Sequence, residues 1–570
     1  MVFGASGGFG SAVGGRQVID LTSLSAAQGF IIQGDTAYDY AGACVAAAGD
    51  VNGDGLGDII IGAYAGDDGG DGAGEAYVVF GTTTGFGTAV GGRQVIDLTS
   101  LSAAQGFIIQ GDTAGDFGGR SVSTAGDING DGLNDLIVGA SGGDDGGTNA
   151  GEAYVVFGTD GGFGTAVGGR QVIDLTSLSA TQGFVIQGDT EGDYAGRSVS
   201  AAGDVNGDGF DDMIVGAHGG EDGGANAGAA YVVFGTDAGF GSAVGGRQVI
   251  DLTSLSAAQG FIVQGDAAGD LAGRGVSAAG DVNGDGFDDM IVGALQGADG
   301  GIDAGEAYVV FGTDGGFGTA VGGRQVIDLS LLSAAQGFII QGDLPGDFAG
   351  VSVSAAGDIN SDGFADLIVG AHGGDDGGID AGEAYVLFGG PAGFTLPQVA
   401  GTSGNDALTG SAVAERLIGG LGNDLLIGGG GADVFVGAAG DDIVDIGAGD
   451  FFRIDGGTGS DTLKVSGDLD FTAIGGSAII GIEGIDSTGN GAQALTLDID
   501  AVLAIGATNR DVLGTTADNV LILRGDAADS LDLTGFGTAA STIAFGGVDY
   551  DLYQIAGRTV LAVGTDFILA

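Results

Sequence analysis

The stretch GDINGDGLNDLIVGA, residues 126–140, places oxygen-bearing side chains at every second position ahead of a run of apolar residues. These side chains converge on one point if the backbone curls around it, and Gly132 permits the sharp turn that this requires. Carboxylate, amide and carbonyl oxygens without any thiolate or imidazole favour Ca²⁺ over zinc or copper. The candidate ligands are Asp127, Asn129, Asp131, the backbone carbonyl of Leu133, and Asp135.

The loop occurs five times, and its first aspartate recurs every 77 residues. For one copy, an acidic Asx turn that binds nothing is the alternative, but five near-identical copies favour metal binding. The sequence therefore predicts structural calcium, about five ions in this part of the chain. The other candidate ligands are Asp50, Asn52, Asp54, Leu56 and Asp58; Asp204, Asn206, Asp208, Phe210 and Asp212; Asp281, Asn283, Asp285, Phe287 and Asp289; and Asp358, Asn360, Asp362, Phe364 and Asp366.

The elements that position these loops repeat with the same period. Each unit holds four short, β-branched or aromatic runs bounded by Gly, Asp or Asn, which predicts four strands joined by tight turns. Such sheets arranged around an axis form a β-propeller, and a stacked solenoid is the competing arrangement. The segment DLTSLSAAQG predicts a single helical turn between two strands, capped by Ser or Thr.

The motifs VVFG and VGA in each unit resemble the FG-GAP repeats of integrin α-subunit propellers and of their bacterial relatives. The resemblance implies that the calcium loop joins the first two strands of a blade, and that FIIQGD of the next unit is the outer strand. We expect the first such strand, residues 30–35, to complete the fifth blade and close the ring. Residues 1–4, MVFG, look like the tail of a further unit, so a fragment of a longer array is the alternative.

A second repeat, of nine residues, begins at Gly401. Units such as GGLGNDLLI and GGGGADVFV resemble the calcium-binding parallel β-roll of RTX proteins, whose aspartates bind several more ions between successive turns. The resemblance implies inward-pointing apolar residues, among them Leu426 and Phe435, with Glu415 in a degenerate unit. A plain Gly-rich linker is the alternative. The aspartates that fit the motif are Asp406, Asp424, Asp433, Asp442 and Asp461.

These patterns predict an all-β chain: a five-bladed propeller over 1–390, a linker over 391–400, a β-roll over 401–468 and a β-rich domain over 469–570. The last region resembles the C-terminal part of RTX proteins exported by type I secretion, and its end, DFILA, matches their acidic-then-apolar signal. The start, MVFGASGGFG, has no signal-peptide pattern. We therefore expect a bacterial protein that uses the type I secretion machinery, reaches the cell surface or medium, and folds there on calcium.

The composition narrows the possible partners. The chain has 76 Asp+Glu against 14 Lys+Arg, a formal net charge of −62, which argues against nucleic acid as a partner. No run of 18 apolar residues predicts membrane insertion. Cys44 is the single cysteine, so no internal disulfide forms.

No enzyme motif is present in the sequence. The two histidines, His218 and His372, share one repeat position at which another unit carries Leu295, so neither is expected to act as a catalytic base. Paired carboxylates leave a glycosidase open, but each candidate pair is repeated or assigned to calcium. We expect a non-enzymatic protein that binds an extracellular protein or glycan, acting in adhesion. The alternatives are a structural element of a surface layer or larger secreted assembly, or an accessory module of an extracellular hydrolase.

Three further features repeat with the units. The Gly/Asp-rich turns such as GGDDGGTNAGE favour a solvated loop over a second metal site. The pair Asp112 and Asp116, repeated in every unit, is expected to shape a turn. One arginine per unit is expected to anchor neighbouring blades by salt bridges; these are Arg16, Arg93, Arg170, Arg247 and Arg324.

Overall fold

A computed structural model gives the fold of the chain. It describes all residues except 4–9, 15, 361–362, 376, 379, 391–397, 414, 432, 448–450, 475–478, 490–491, 499–500, 503–504, 506–519, 528, 534–535, 537–538, 540, 546–547, 556–557, 565–566 and 570. Within the described residues, no helix is long and apolar enough to cross a membrane. Seven residues of the expected linker, 391–397, lie outside the described part.

Residues 44–387 form five successive antiparallel sheets, which we call blades one to five. The first strands of the blades are Cys44–Gly49, Ser121–Gly126, Ser198–Gly203, Ala272–Gly280 and Ala349–Gly357. The second strands are Asp58–Ala63, Asp135–Ala140, Asp212–Ala217, Asp289–Ala294 and Asp366–Ala371. The third strands are Glu75–Val79, Glu152–Val156, Ala229–Val233, Glu306–Val310 and Glu383–Leu387. The fourth strands, in blades one to four, are Gly106–Gln110, Gly183–Gln187, Gly260–Gln264 and Gly337–Gln341.

The strand order within a blade follows the sequence prediction. In blade two, Val122 lies opposite Val138, Val138 opposite Tyr154, and Tyr154 opposite Val185, all in antiparallel register. The fourth strand comes from the following unit, as the resemblance implied. The acidic loop joins the first and second strands, so all five loops lie at one end of the blades, which we call the loop end.

Each fourth strand except the last also pairs on its other edge with a hairpin from the next unit. In blade one, Ile108 lies opposite Val172 in parallel register, so the hairpin of the second blade extends the first blade to six strands. The hairpin strands are Ser11–Val13 and Arg16–Val18, Thr88–Val90 and Arg93–Asp97, Thr165–Val167 and Arg170–Asp174, Ser242–Val244 and Arg247–Asp251, and Thr319–Val321 and Arg324–Asp328.

The predicted helical turn follows each hairpin as a 3₁₀ turn. The side chain of Asp97 caps one of these turns by accepting a hydrogen bond from the backbone N–H of Thr99, so the cap is Asp rather than the expected Ser or Thr. The turns are Leu21–Ser23, Leu98–Ser100, Leu175–Ser177, Leu252–Ser254 and Leu329–Leu331.

Successive blades pack side by side through their first strands. The backbone N–H of Val199 donates to Ser121 Oγ (3.1 Å), and that of Val276 donates to Ser198 Oγ (3.1 Å), so three neighbouring first strands are joined at matching positions. Buried apolar residues such as Ile137 fill the space between blades. The repeated sheets are consistent with a propeller.

The fifth blade has three strands within the described residues. The N-terminal strand Ile31–Gln33 pairs in parallel with Arg93–Asp97, and in the described part of the chain residues 30–35 do not pair with the fifth blade. Val2 instead pairs antiparallel with Gly29, in the way that Val79 pairs with Gly106 in blade one. The expectation about residues 30–35 was wrong because residues 1–3 take the edge that would meet the fifth blade: the N–H of Phe30 donates to the carbonyl of Met1 (3.2 Å), and the N–H of Phe3 donates to that of Gln28 (2.7 Å).

The second region forms a parallel roll. Leu408, Leu426 and Val444 stack at successive positions of one sheet, and Leu417 and Phe435 stack in the facing one. Leu426 and Phe435 are fully buried, as predicted. The roll strands are Gln398–Ala400, Ala407–Thr409, Arg416–Leu421, Leu425–Ile427, Asp433–Ala439, Ile443–Gly447, Phe451–Asp455 and Thr462–Val465.

Parallel stacking continues beyond residue 468. Leu463 pairs with Ile485, which pairs with Leu523 in the next layer, and one hydrophobic core runs through both regions. The strands here are Leu469–Asp470, Ile479–Ile480, Gly484–Asp486, Ala494–Leu497, Leu521–Arg524, Ser530–Leu533, Ser541–Phe545, Val548–Ile555, Arg558–Gly564 and Ile568–Leu569. Of the expected secretion tail, Asp566 and Ala570 lie outside the described residues.

Candidate metal sites

The acidic loop of blade two holds its oxygen-bearing side chains in place with backbone hydrogen bonds. Asp127 accepts from the N–H of Asp131 (3.1 Å) and of Gly132 (2.8 Å), and Asn129 accepts from the N–H of Asp131 (2.9 Å). Gly132 has φ of 83°, the left-handed turn that the sequence required. The loop therefore curls as predicted, and its side-chain oxygens are oriented by the chain itself.

The last carboxylate of this loop is buried at the start of the second strand. Asp135 accepts hydrogen bonds from the N–H of Ile128 (3.2 Å) and of Gly158 (2.8 Å). Burial raises the pKa of Asp135 to about 8, and the charges of Asp131 and Asp127 add to the effect. A carboxylate beside two others in a buried position gains strongly from a cation, so this donor set fits calcium.

Neighbouring loops are joined to each other. Asp211, on the loop of blade three, accepts from the N–H of Asp127 (2.8 Å), and its own N–H donates to the carbonyl of Asp127 (3.3 Å). In the same way, the side chain of Asn134 accepts from the N–H of Asp50, and the N–H of Asn134 donates to the carbonyl of Asp50. The side chain of Asp288 accepts from the N–H of Asp204. The first ligand residues of the first three loops are thus held by a side chain of the next loop along the chain. Sequence reasoning missed this contact because the position varies between the units, which carry Gly57, Asn134, Asp211, Asp288 and Ala365 there.

The other loops follow the same pattern. In blade one, Asp50 accepts from the N–H of Gly55 (2.7 Å), and Asp58 accepts from that of Gly81 (2.7 Å). In blade five, Asp366 accepts from the N–H of Ile359 (2.9 Å). Asp362 of that loop lies outside the described residues. The predicted side chains of each loop therefore lie on one curled turn, apart from that one position, but in blades one to four the three carboxylates of a loop do not all lie within 4.8 Å of one another.

In the roll, four of the five predicted aspartates form a ladder, and the fifth, Asp433, accepts from the N–H of Glu415 (2.9 Å). The N–H of Asp406 donates to Asp424 Oδ1 (2.7 Å), that of Asp424 to Asp442 Oδ1 (2.7 Å), and that of Asp442 to Asp461 Oδ1 (2.7 Å). The second oxygens, Oδ2 of Asp424, Asp442 and Asp461, are buried without a hydrogen-bond partner. Buried, unpartnered carboxylate oxygens require a cation or a proton, so the roll also fits calcium. The ladder continues to Glu483, which the nine-residue pattern did not predict.

The roll contacts the loop end of the blades. Arg453 Nη1 lies 3.3 Å from Asp281 Oδ2, a predicted ligand of the fourth loop, and the Asp281 side chain is fully buried. The guanidinium of Arg416 lies 4.4 Å from the ring centre of Phe364, on the fifth loop. The two groups of candidate sites are therefore in physical contact.

A third group of carboxylates lies at the opposite end of the blades. In blade two, oxygens of Asp112, Asp116 and Glu152 lie within 4.8 Å of one another. Burial, and then the neighbouring Asp112, raises the pKa of Asp116 to about 8. Blade three lacks the triad, because it carries Ala229 in place of the glutamate. The triad recurs in blades one, four and five, as Asp35, Asp39 and Glu75; Asp266, Asp270 and Glu306; and Asp343, Asp347 and Glu383.

Asp112 and Asp116 flank a turn, as expected, and the structure adds Glu152 to them. The repeated Asp-x-x-x-Asp pattern and the glutamate at the start of four of the five third strands were visible in the sequence, but 36 residues separate Asp116 from Glu152. Their oxygens are hard donors and could hold a metal ion.

The repeated arginines bind aspartates across blades, as predicted. Arg170 pairs with Asp35 (2.9 Å) and with Asp68 (2.7 Å), and Arg247 pairs with Asp112 (2.7 Å) and Asp145. Arg324 binds Asp189 and Asp222 in the same way. The Gly/Asp-rich turns are therefore partly salt-bridged rather than only solvated. Among the described residues, no ion pair is found for Arg16 or Arg93.

Comparison with known families agrees with this arrangement. Residues 45–79, 118–156, 195–233 and 349–387 match the model of the FG-GAP repeat. Residues 409–444 match that of the RTX calcium-binding nonapeptide repeat, in four copies. Comparison with curated proteins gives no match. The chain thus combines FG-GAP repeats with RTX repeats, and the RTX repeats indicate calcium binding and an extracellular protein exported by type I secretion.

Proposed function

We propose that this protein is a secreted, calcium-stabilised and non-enzymatic binding protein that acts in adhesion at a cell surface or in an extracellular matrix. In this proposal the five loops and the roll hold structural calcium, and the opposite end of the blades binds an extracellular protein or glycan. The loops supply the oxygen donors that calcium prefers, and their contact with the roll would make metal binding and folding one event.

The observation that carries the binding function is an exposed aromatic position repeated at the end opposite the loops. Tyr40, Phe117 and Tyr194 follow the second triad aspartate in blades one to three and are 57%, 41% and 37% exposed. Each has φ near 57–58°, a left-handed conformation that costs energy in a bulky residue. Rings held out in a strained conformation at equivalent positions favour repeated weak contacts that add by avidity.

Ring stacking fixes the direction of these side chains. The ring of Tyr40 stacks on Tyr64 with centres 5.5 Å apart, and that of Tyr194 stacks on His218 at 5.4 Å. The histidine thus has a packing role, which supports the expectation that it is not a catalytic base. A rigid ring loses little conformational entropy when a ligand binds.

The proposal is tested by binding of the full-length, calcium-loaded protein to immobilised matrix proteins, polysaccharides and whole cells. We expect saturable binding that falls when Phe117 and Tyr194 are both changed to Ser, with an unchanged calcium-dependent melting midpoint. The matched control is Tyr38→Ser, since Tyr38 is exposed but lies outside the repeated position. Ordered self-assembly without ligand binding would favour the structural alternative, and turnover of a polysaccharide would favour the hydrolase module.

A further inference from the structure

Three arginines stand close together at the end of the blades opposite the loops. Arg120, Arg197 and Arg274 occupy one repeat position, just before or at the start of the first strands of blades two, three and four. Those strands are neighbours, joined through Ser121 and Ser198, the residues that directly follow two of the arginines. We call these three residues the arginine cluster. The equivalent residues in blades one and five are Ala43 and Val351, so the cluster is confined to the middle of the array.

The arginine cluster lacks the carboxylate partners that Arg170, Arg247 and Arg324 have. Arg170 and Arg247 each bind two aspartates, whereas no aspartate or glutamate within the described residues forms an ion pair with any member of the cluster. Arg120 packs on the ring of Tyr64, with its guanidinium 4.7 Å from the ring centre. All three arginines of the cluster are half-buried, and a partly buried cation without a carboxylate partner is costly.

The charges of the cluster act on one another and on a nearby histidine. Burial, and then the charges of Arg274 and Arg120, lowers the pKa of Arg197 to about 10. His218 is half-buried beside Arg274 and Arg197, and its Nδ1 is buried without a hydrogen-bond partner. Like charges held together in a partly buried place repel, and a bound anion would relieve that repulsion.

We propose that the arginine cluster, with His218 beside it, is a binding site for an oxyanion, namely a sulfate or carboxylate group. Guanidinium groups present paired N–H donors that match the oxygens of such groups, and these charge-assisted hydrogen bonds are strong when partly buried. The acidic triads around the cluster would repel an anion placed elsewhere on this end of the blades, so the negative group is directed to the arginines.

This inference deepens the proposed binding function, because it names the chemistry of the ligand. The exposed rings of Phe117 and Tyr194 lie three residues before Arg120 and Arg197 in the same loops. An acidic saccharide would place its ring against an aromatic side chain and its charged group on the cluster. The site itself can be tested with a free ion and without cells, so its failure is distinguishable from failure of the adhesive role.

The experiment is a calorimetric titration of sodium sulfate into the full-length, calcium-loaded protein, with sodium chloride of equal ionic strength as reference. Parallel titrations with glucuronate and with a sulfated disaccharide distinguish a free ion from a saccharide-borne group. We expect one saturable site, with affinity at least about tenfold weaker in Arg197→Gln and in Arg274→Gln. Arg93→Gln is the matched control, since it removes one positive charge outside the cluster and should bind sulfate like the unchanged protein.

The melting midpoint shows whether a variant is folded. Without sulfate, we expect Arg197→Gln to melt at or above the midpoint of the unchanged protein, because one repelling charge is gone. Equal sulfate affinity in Arg197→Gln and Arg93→Gln would overturn the proposal, as would uptake that never saturates. Tighter binding of the sulfated disaccharide than of free sulfate would support a saccharide as the natural source of the group.

Discussion

The change of Asp135 to Asn isolates the role of calcium in one loop. Asn has the shape of a protonated Asp. Because burial raises the pKa of Asp135 to about 8, the metal-free protein already holds this carboxyl mostly protonated at neutral pH. Without calcium, the change therefore removes little more than one of the two backbone hydrogen bonds that Asp135 accepts. We expect a loss of at most about 1 kcal/mol in the free energy of unfolding.

With calcium, the same change removes a negatively charged ligand. A site at a calcium concentration 100 times its dissociation constant contributes about 2.7 kcal/mol, and losing the site loses that amount. The stability cost of Asp135→Asn should therefore be about 2–3 kcal/mol larger in calcium than in chelator. Urea unfolding followed by circular dichroism at both conditions measures this difference, and calorimetry should count one ion fewer.

The matched control is Asp160→Asn. Asp160 is exposed and lies near enough for its charge to raise the pKa of Asp131, but it is not a predicted ligand. Its change should leave ion stoichiometry intact and affect both conditions alike. If Asp135→Asn cost the same with and without calcium, the loop would be an ordinary acidic turn, and the calcium assignment for all five copies would lose its basis.

Three further outcomes follow from the geometry. In metal-free protein, the free energy of unfolding should fall as pH rises from about 4 to about 8, because the folded state holds the proton of Asp135 more tightly than the unfolded state does. Calcium should suppress this pH dependence, which is measured as the urea midpoint at each pH. Asp211→Ala should cost about 1–3 kcal/mol by leaving the N–H of Asp127 unpaired, whereas Asp211→Asn should retain most of the stability, as natural Asn does in blade two. Arg453→Gln should lower the melting midpoint more in chelator than in calcium, since an ion can replace the lost charge beside the buried Asp281.

The loops and the order of strands within a blade were predictable because their signals are local. The ligand side chains of one loop span nine residues, and the apolar runs that form the second and third strands follow directly. Repetition strengthens the prediction of these loops, because five near-identical copies of a short pattern are not expected by chance. The sequence predicted that Arg170 and Arg247 form salt bridges between blades, but it did not identify their partner aspartates.

The features that sequence reasoning missed depend on contacts distant in the chain. The parallel pairing of Ile108 with Val172 joins residues 64 positions apart. The residue pattern of a strand does not show which other strand will pair with each of its edges. The same ambiguity misled the expectation about residues 30–35. The acidic triads arise only when the segment before the first strand of a blade, which carries Asp112 and Asp116, meets the start of the third strand of that blade at Glu152. The arginine cluster likewise requires three first strands side by side.

In the proposed function, the two ends of the blades separate calcium binding from ligand binding. Predicted calcium ligands such as Asp135 begin the second strand, and the exposed rings and the arginine cluster lie at its other end, roughly 20 Å away for a six-residue strand. An ion at the loop end is too far away to bridge a ligand bound at the opposite end. Calcium at the loop end would therefore act on binding through the fold, by neutralising carboxylates that repel one another in loops joined from blade to blade. Binding should then follow the calcium concentration that folds the array and become independent of calcium above it, whereas a second calcium dependence at higher concentration would indicate an ion in the acidic triads.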